Sequence, residues 1–108
     1  MTKTTAIALA AIGALACSLP AAAADHLIGQ KGKAFEVKAL KAKVGDKLVF
    51  RNDDGFAHNI FSLSDAQSFD LGSYGQGASR EVVLTKEGKL EIECAIHPEM
   101  RLDVEVSK

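Results

Sequence analysis

Three side chains that bind soft metal ions follow one another at even intervals near the end of the chain. Cys94, His97 and Met100 lie in the stretch ECAIHPEM, with Pro98 between the last two. Residues spaced by three would also share one face of a helix, so a core stripe of a helix is an alternative interpretation. Pro98 would lie inside that helix, where it removes a hydrogen bond and clashes with the preceding turn. The pattern therefore favours a stiff loop that carries a thiolate, an imidazole and a thioether.

A second histidine extends this set of donors. His58 lies in DDGFAHNIFS, after a turn rich in Asp and Gly and at the start of an apolar segment. A lone histidine is usually an ordinary polar residue, but two histidines and a cysteine with a weak axial methionine form the blue-copper electron-transfer site. Zinc usually takes a carboxylate, water or another thiolate in place of methionine. We predict that one copper ion, cycling between Cu(I) and Cu(II), is bound by His58, Cys94, His97 and Met100.

The segments on both sides of the loop have the period of two that is typical of strands. The apolar side chains of residues 88–94 share one face that ends with Cys94. Those of residues 100–106 share one face that begins with Met100. Because alternate residues of a strand point to the same side, we expect both sulfur atoms to lie at strand ends and to point at the top of the core.

Other segments have the same strand-like composition. REVVLT and DKLVFRN are rich in β-branched and aromatic residues, AFEVKAL and HNIFSL are weaker candidates, and short turns rich in Gly and Asp separate them. Many short alternating strands predict an all-β sandwich or barrel with antiparallel strands. We expect a short helical turn around residues 64–67 and an inter-strand loop at residues 72–77 with Tyr74 on the surface. The predicted core consists of Leu48, Phe50, Ile60, Val82, Leu84, Leu90, Ile92, Leu102, Val104 and Val106.

Residues 1–24 have the pattern of a signal peptide. Lys3 supplies the positive charge, residues 6–19 the apolar region, and three alanines ending at Ala24 the cleavage site. The apolar run is too short for a stable membrane span. We therefore expect export to the periplasm and a single domain at residues 25–108. Cys17 leaves a lipoprotein as the alternative.

Charge and cysteine content narrow the function further. Loss of Lys3 with the leader would change the formal net charge from −1 to −2, which argues against nucleic acid and against a polybasic membrane surface. Cys94 would be the single cysteine of the processed chain, so no internal disulfide can form. A lone cysteine in an exported protein is either a buried, inert thiol or a metal ligand.

The residues of the two donor segments resemble those of a known family, the cupredoxins, which are small type 1 blue-copper proteins. His58-Asn59 and CAIHPEM are similar to their two copper-ligand segments, in the same order, and the Cys-x2-His-x2-Met spacing is closest to that of amicyanin. The resemblance implies a Greek-key β-sandwich with copper at one end. It also implies His58 and His97 as nitrogen ligands, Cys94 as the thiolate and Met100 as the axial ligand. Asn59 would brace the two ligand segments by hydrogen bonding.

The resemblance covers residues 26–108 and has two departures. Glu93 stands where plastocyanins usually place an aromatic residue linked to electron exit, which favours exit through the edge of His97. An acidic patch of the kind that plastocyanins show to their partners is not evident as a cluster, so the partner stays open.

Two functions are consistent with such a protein. One is a one-electron carrier between redox partner proteins, as a monomer that forms transient complexes. The other is periplasmic copper handling by sequestration, delivery or copper tolerance, which Met- or His-rich runs would favour. Because the chain after the leader has one methionine and three histidines, we favour the carrier; a binding module without copper is the remaining alternative.

Four protein donors leave no open position for a substrate, so we expect no enzyme. His26, second in the processed chain, could bind an accessory copper, but an ordinary surface role is favoured.

Overall fold

A computed structural model describes residues 23–108 of the chain, and these residues form eight β-strands and no helix. The strands are β1 Asp25–Gln30, β2 Ala39–Lys43, β3 Lys47–Asn52, β4 His58–Leu63, β5 Ser68–Tyr74, β6 Ser79–Val83, β7 Gly88–Cys94 and β8 Arg101–Ser107. A three-stranded sheet has the order β1-β3-β6, and a five-stranded sheet has the order β2-β8-β7-β4-β5. The predicted all-β sandwich is thereby confirmed.

The sandwich core follows from the alternation of apolar and polar side chains. In β8 every second residue is buried, and in β7 the buried positions are Leu90, Ile92 and Cys94. The inward faces of the two sheets supply one apolar cluster between them. Nine of the ten predicted core residues are buried, and Val82 is partly buried against the cluster. Among the described residues there is no helix with the length and apolar character of a membrane span.

The strands are mostly antiparallel, as predicted, with two exceptions. The pairs β3–β6, β4–β5, β4–β7 and β7–β8 are antiparallel, whereas β1–β3 and β2–β8 are parallel. The chain leaves β1, crosses to the other sheet as β2 and returns as β3. This crossover allows β1 and β3 to lie side by side in the same direction, which a short hairpin cannot do.

The second strand differs from its predicted position. The apolar pattern at residues 34–40 predicts a strand there, but β2 covers Ala39–Lys43. Phe35 is buried and forms only an isolated bridge with Gln30. Phe35 alone is buried among residues 34–37, and Val37 is 38% exposed, so this segment is a loop with one buried aromatic side chain and not a continuous strand.

The segments β1 and β5 were not predicted as strands. The burial pattern of β5 is irregular, and Gly72 within it has a φ of 75°, so the period of two is interrupted. Tyr74, expected on the surface, is buried, and its hydroxyl donates a hydrogen bond to Oε1 of Gln30.

The predicted helical turn at residues 64–67 is not helical. The predicted leader at residues 1–24 lies outside the described residues except for its last two.

The order of the strands brings the donor segments to one end of the five-stranded sheet. β4 lies between β5 and β7, and Ile60 of β4 is paired with Cys94, the last residue of β7. His58 is the first residue of β4, two positions before Ile60. Because β4 and β7 are antiparallel, the start of one lies beside the end of the other, where the loop to β8 begins.

Candidate metal centre

A cysteine and two histidines form a compact triangle of donor atoms at this end of the sandwich. Nδ1 of His58 and Nδ1 of His97 are 3.2 Å apart, and each lies 3.8 Å from Sγ of Cys94. A point equidistant from the three atoms is about 2.1 Å from each of them. For zinc, an ion of the same transition row, the bonds to imidazole and thiolate are about 2.0–2.1 and 2.3 Å. The three residues therefore fit a first-row metal ion with little movement, and two nitrogens with one thiolate suit copper.

The three donors differ in their exposure to solvent. His58 is fully buried and Cys94 is 1% exposed, because both continue the inward faces of their strands. His97 lies in the loop between β7 and β8 and is half-buried. The structure thus brings together three of the four predicted ligands, of which His97 is the one that reaches the surface.

The main chain of Asn59 joins the two ligand segments. Its amide donates a hydrogen bond to Sγ of Cys94 at 3.3 Å, and its carbonyl accepts one from the amide of Ala95 at 3.1 Å. The expected bracing by Asn59 therefore exists and uses backbone groups. This contact holds the sulfur atom of Cys94 beside the first residues of β4.

Met100 closes the ligand loop. It is 1% exposed and directly precedes β8, and its amide donates a hydrogen bond to the carbonyl of His97 at 2.9 Å. This bond ties the fourth predicted ligand to the third through a turn that Pro98 stiffens. Met100 is thus buried at the same end of the sandwich, and its role as the axial ligand stays a prediction.

Asp54 holds the outer nitrogen of His58. Its Oδ2 lies 2.8 Å from Nε2 of His58, and the carboxylate also accepts hydrogen bonds from the amides of Gly32 at 2.7 Å and Lys33 at 3.2 Å. A carboxylate acceptor assigns the ring proton to Nε2 and leaves the Nδ1 lone pair for the triangle. Burial raises the pKa of Asp54, but the bonds from Gly32, His58 and Lys33 outweigh it and hold this pKa below its usual value.

Sequence reasoning assigned Asp54 only to a turn. No motif singles out this carboxylate, because the three residues between it and His58 form no helix that would set a regular spacing. An acidic residue shortly before a candidate histidine ligand is the one signal that the sequence offers. It becomes specific only when the fold of the turn is known.

Phe56 covers both imidazoles. Its ring centroid lies 5.5 Å from that of His58 and 5.2 Å from that of His97. Phe56 is 37% exposed, and Ile96 in the ligand loop is 50% exposed. The triangle of donors is therefore screened from water by an aromatic ring, and apolar side chains surround the edge of His97 at the surface.

The third histidine takes no part in this cluster. Nε2 of His26 lies 2.8 Å from Oδ2 of Asp46. This carboxylate also accepts hydrogen bonds from the amides of Ala24 and Lys43. The amide of Ala24, the ring of His26 and the amide of Lys43 lower the pKa of Asp46 to about 2. His26 therefore links the first strand to the turn before β3, in agreement with the ordinary role favoured for it.

Comparison with known proteins is consistent with this geometry. Residues 23–107 match the family model of copper-binding proteins of the plastocyanin/azurin family. The methylamine utilization protein MauL of Methylorubrum extorquens is 31% identical over 91 residues, which are 83% of this chain and 80% of MauL. A reduced Cu(I) form of an amicyanin mutant superposes with a TM-score of 0.70 and 21% identity, over 84% of this chain and 88% of amicyanin.

A copper-containing nitrite reductase from Thermus scotoductus has the same fold in part. Its TM-score is 0.70 at 24% identity, and the match covers 83% of this chain but only 23% of the reductase. At this identity the likeness shows the fold alone. The chain spans about a quarter of that enzyme.

Proposed function

The chain belongs to the plastocyanin/azurin family of copper-binding proteins and is a cupredoxin with amicyanin-like character. From this premise we propose that it is a one-electron carrier. Copper is its cofactor. His58, Cys94, His97 and Met100 are the proposed ligands, and redox proteins are the proposed partners. Copper bound there supplies a couple that changes by one electron between Cu(I) and Cu(II).

The observation that carries this proposal is the triangle of Nδ1, Nδ1 and Sγ atoms. Its edges of 3.2, 3.8 and 3.8 Å match the size of a first-row metal ion. His58 and Cys94 belong to paired strands, and a backbone amide holds the sulfur. Donors held in this way change position little when the charge of the ion changes, which suits rapid electron transfer.

We propose that electrons enter and leave through the edge of His97. This residue is half-buried, whereas His58 is enclosed. Phe56 and Ile96 supply apolar area near His97 that a partner can cover, and the ammonium group of Lys33 lies 5.8 Å from the centroid of the Phe56 ring. Glu93, which lies beside Cys94 and is half-buried, offers no aromatic ring for a second route.

The proposal extends to export and to the absence of catalysis. Residues 1–24 are proposed to be a signal peptide, residues 25–108 the mature domain, and the periplasm its location. Four protein donors, one of them the buried Met100, leave no position for a substrate, so the protein is proposed to act as a carrier and not as an enzyme.

The test uses the processed protein loaded with one equivalent of copper. We expect an intense visible absorption band from thiolate-to-copper charge transfer, and a reversible one-electron wave in voltammetry. Cys94→Ser, with the same fold by circular dichroism, is the matched control and should lose the band. An irreversible wave, with copper that passes readily to a weak chelator, would favour copper handling instead.

A further inference from the structure

The turn between β1 and β2 makes its contacts with the metal centre through Asp54 and Phe56. The amides of Gly32 and Lys33 both donate to the Asp54 carboxylate. Nζ of Lys33 lies 5.8 Å from the centroid of the Phe56 ring. Asp54 and Phe56 are also the residues that contact the outer side of the imidazoles. A segment more than 20 residues before the first ligand thus contacts both groups that surround the ligands.

The backbone of this turn is in an unfavourable conformation. Gly32 has a φ of 66° and Lys33 a φ of 57°, and Lys33 is the one residue other than glycine with a positive φ among residues 23–108. The left-handed conformation is unfavourable for a non-glycine residue, because it brings Cβ too close to the following carbonyl oxygen. Successive backbone N–H groups in a turn can form a concave anion-binding nest. Here the nest holds the carboxylate of Asp54, which is 8% exposed.

We propose that Asp54, held in the nest of Gly32 and Lys33, is the positioning residue that fixes the ring of His58 for copper. This inference rests on the proposed role of His58 as a ligand. Asp54 acts through the proton on Nε2: a carboxylate can only accept at that atom, so Nδ1 stays free of a proton and directed at Sγ of Cys94. The β1–β2 turn therefore contributes to copper affinity although it contains no ligand.

The variant Asp54→Asn separates positioning from folding, because the two side chains have almost the same shape. An amide has one oxygen and one NH2 group in place of two oxygens. If the oxygen stays with Gly32, the NH2 group faces Nε2 of His58 and the amide of Lys33, and two donors oppose each other. The ring then gains a proton on Nδ1, where copper should bind, or loses its fixed orientation.

The adjacent carboxylate provides the control. Asp53→Asn removes the same charge one residue away, but Asp53 is paired with Arg51 at 2.8 Å and not with a histidine. A purely electrostatic effect of charge near the site would change both variants in the same direction, with a smaller change in Asp53→Asn because the Asp53 side chain is 33% exposed and that of Asp54 is 9% exposed. A positioning effect belongs to Asp54→Asn alone.

Two measurements test the proposal. In the metal-free protein, nitrogen-15 NMR of the His58 ring should show the proton on Nε2 in the wild type and in Asp53→Asn, and should show its loss or transfer in Asp54→Asn. Copper affinity, measured by competition with a chelator of known affinity, should fall about 10–100-fold in Asp54→Asn and stay within about twofold in Asp53→Asn.

The outcomes distinguish this inference from the proposed function. An unchanged ring tautomer in Asp54→Asn, or an equal loss of affinity in both variants, would overturn the positioning role. A wild-type protein that binds copper without the thiolate band would instead overturn the proposed function. The NMR result needs no copper and tests Asp54 in either case.

Discussion

Nδ1 of His58 and Nδ1 of His97 face each other at 3.2 Å, although 39 residues separate the two histidines in the chain. Two imidazole lone pairs at this distance repel each other unless a proton or a metal ion lies between them. The sulfur of Cys94 at 3.8 Å from both nitrogens adds further negative charge when it is a thiolate. Three electron-rich atoms held this close together are stabilised when a cation binds between them.

Copper should accordingly raise the stability of the protein. With free copper at about 1,000 times the dissociation constant, binding to the folded state alone adds about 4 kcal/mol to the free energy of unfolding. Thermal unfolding with and without copper measures this gain. His97→Ala should lose most of the copper-dependent shift. His26→Gln is the matched control and should keep the shift, because His26 is paired with Asp46 outside the cluster.

Cys94→Ser should remove the visible charge-transfer band, because a hydroxyl cannot supply the sulfur orbital from which that transition starts. Cys94 is 1% exposed and has about the volume of serine, so the fold should persist with a modest loss of stability. Absorption and circular dichroism spectra measured on one sample test both statements. A variant that stays intensely blue or green would show that the thiolate belongs to another residue.

Met100→Gln should retain copper and change its reduction potential. The axial donor tunes the potential of a trigonal His2Cys site, and an amide oxygen stabilises Cu(II) more than a thioether does. We therefore expect a lower potential by voltammetry and a shifted absorption band. An unchanged potential would show that Met100 is only a core residue beneath the loop.

Asp46→Asn should make the free energy of unfolding less dependent on pH in the acidic range. The pKa of Asp46 is lowered to about 2 in the folded chain from its ordinary value of 3.8, so the unfolded state takes up the proton first. The stabilisation is present at neutral pH and is lost as pH falls from about 5 to 2. Urea unfolding of metal-free protein that retains Ala24, whose amide is the largest cause of the lowered pKa, should therefore show for Asp46→Asn a loss of stability at pH 7 that shrinks toward pH 2.

A second carboxylate serves as the reference for this pH effect. Asp65→Asn changes an exposed residue of the loop between β4 and β5, so it should alter stability little at any pH. A difference between wild type and Asp46→Asn that stays constant from pH 7 to pH 2 would contradict the role assigned to the carboxylate.

The sequence predicted those parts of the molecule in which local pattern and tertiary environment agree. The period of two in β7 predicted both the bounds of this strand and the inward orientation of Cys94. This prediction succeeded because the neighbouring strands β4 and β8 bury side chains on the same face of the sheet. For β5 the pattern failed, because Gly72 interrupts the period and Tyr74 is buried through a hydrogen bond with the distant Gln30. A contact of this kind leaves no local signal.

The same distinction holds at the candidate metal centre. The donors Cys94, His97 and His58 could be predicted because their chemistry is unusual in combination. Asp54 and Phe56 could not, since an aspartate and a phenylalanine in a turn are common and acquire their roles only when the turn folds over the imidazoles. Both residues also contact the β1–β2 turn, in which Lys33 has a left-handed conformation.

A substitution at the end of β7 that is far from Cys94 should lower the stability of the protein without changing the metal centre. Gly88, the first residue of this strand, has a φ of 138°, and a Cβ atom added to it would lie 2.8 Å from Cβ of Ala66. Gly88→Ala should therefore lower the free energy of unfolding by about 1–3 kcal/mol through backbone strain and overpacking. Urea unfolding measures this loss.

Gly75→Ala is the matched control for this substitution. A Cβ atom at Gly75 meets no atom within 4 Å and the backbone there is not left-handed, so the change should be neutral or stabilising by about 0.4–1 kcal/mol. Gly88 is about 20 Å along the strand from Cys94 at a rise of roughly 3.3 Å per residue. The copper absorption band should therefore be unchanged in both variants, because the triangle of donors depends on the other end of β4 and β7. If Gly88→Ala is as stable as Gly75→Ala, the loop that contains Ala66 can move away from the added Cβ atom without cost. If the absorption band shifts in Gly88→Ala, the substitution changes the structure at the other end of β7.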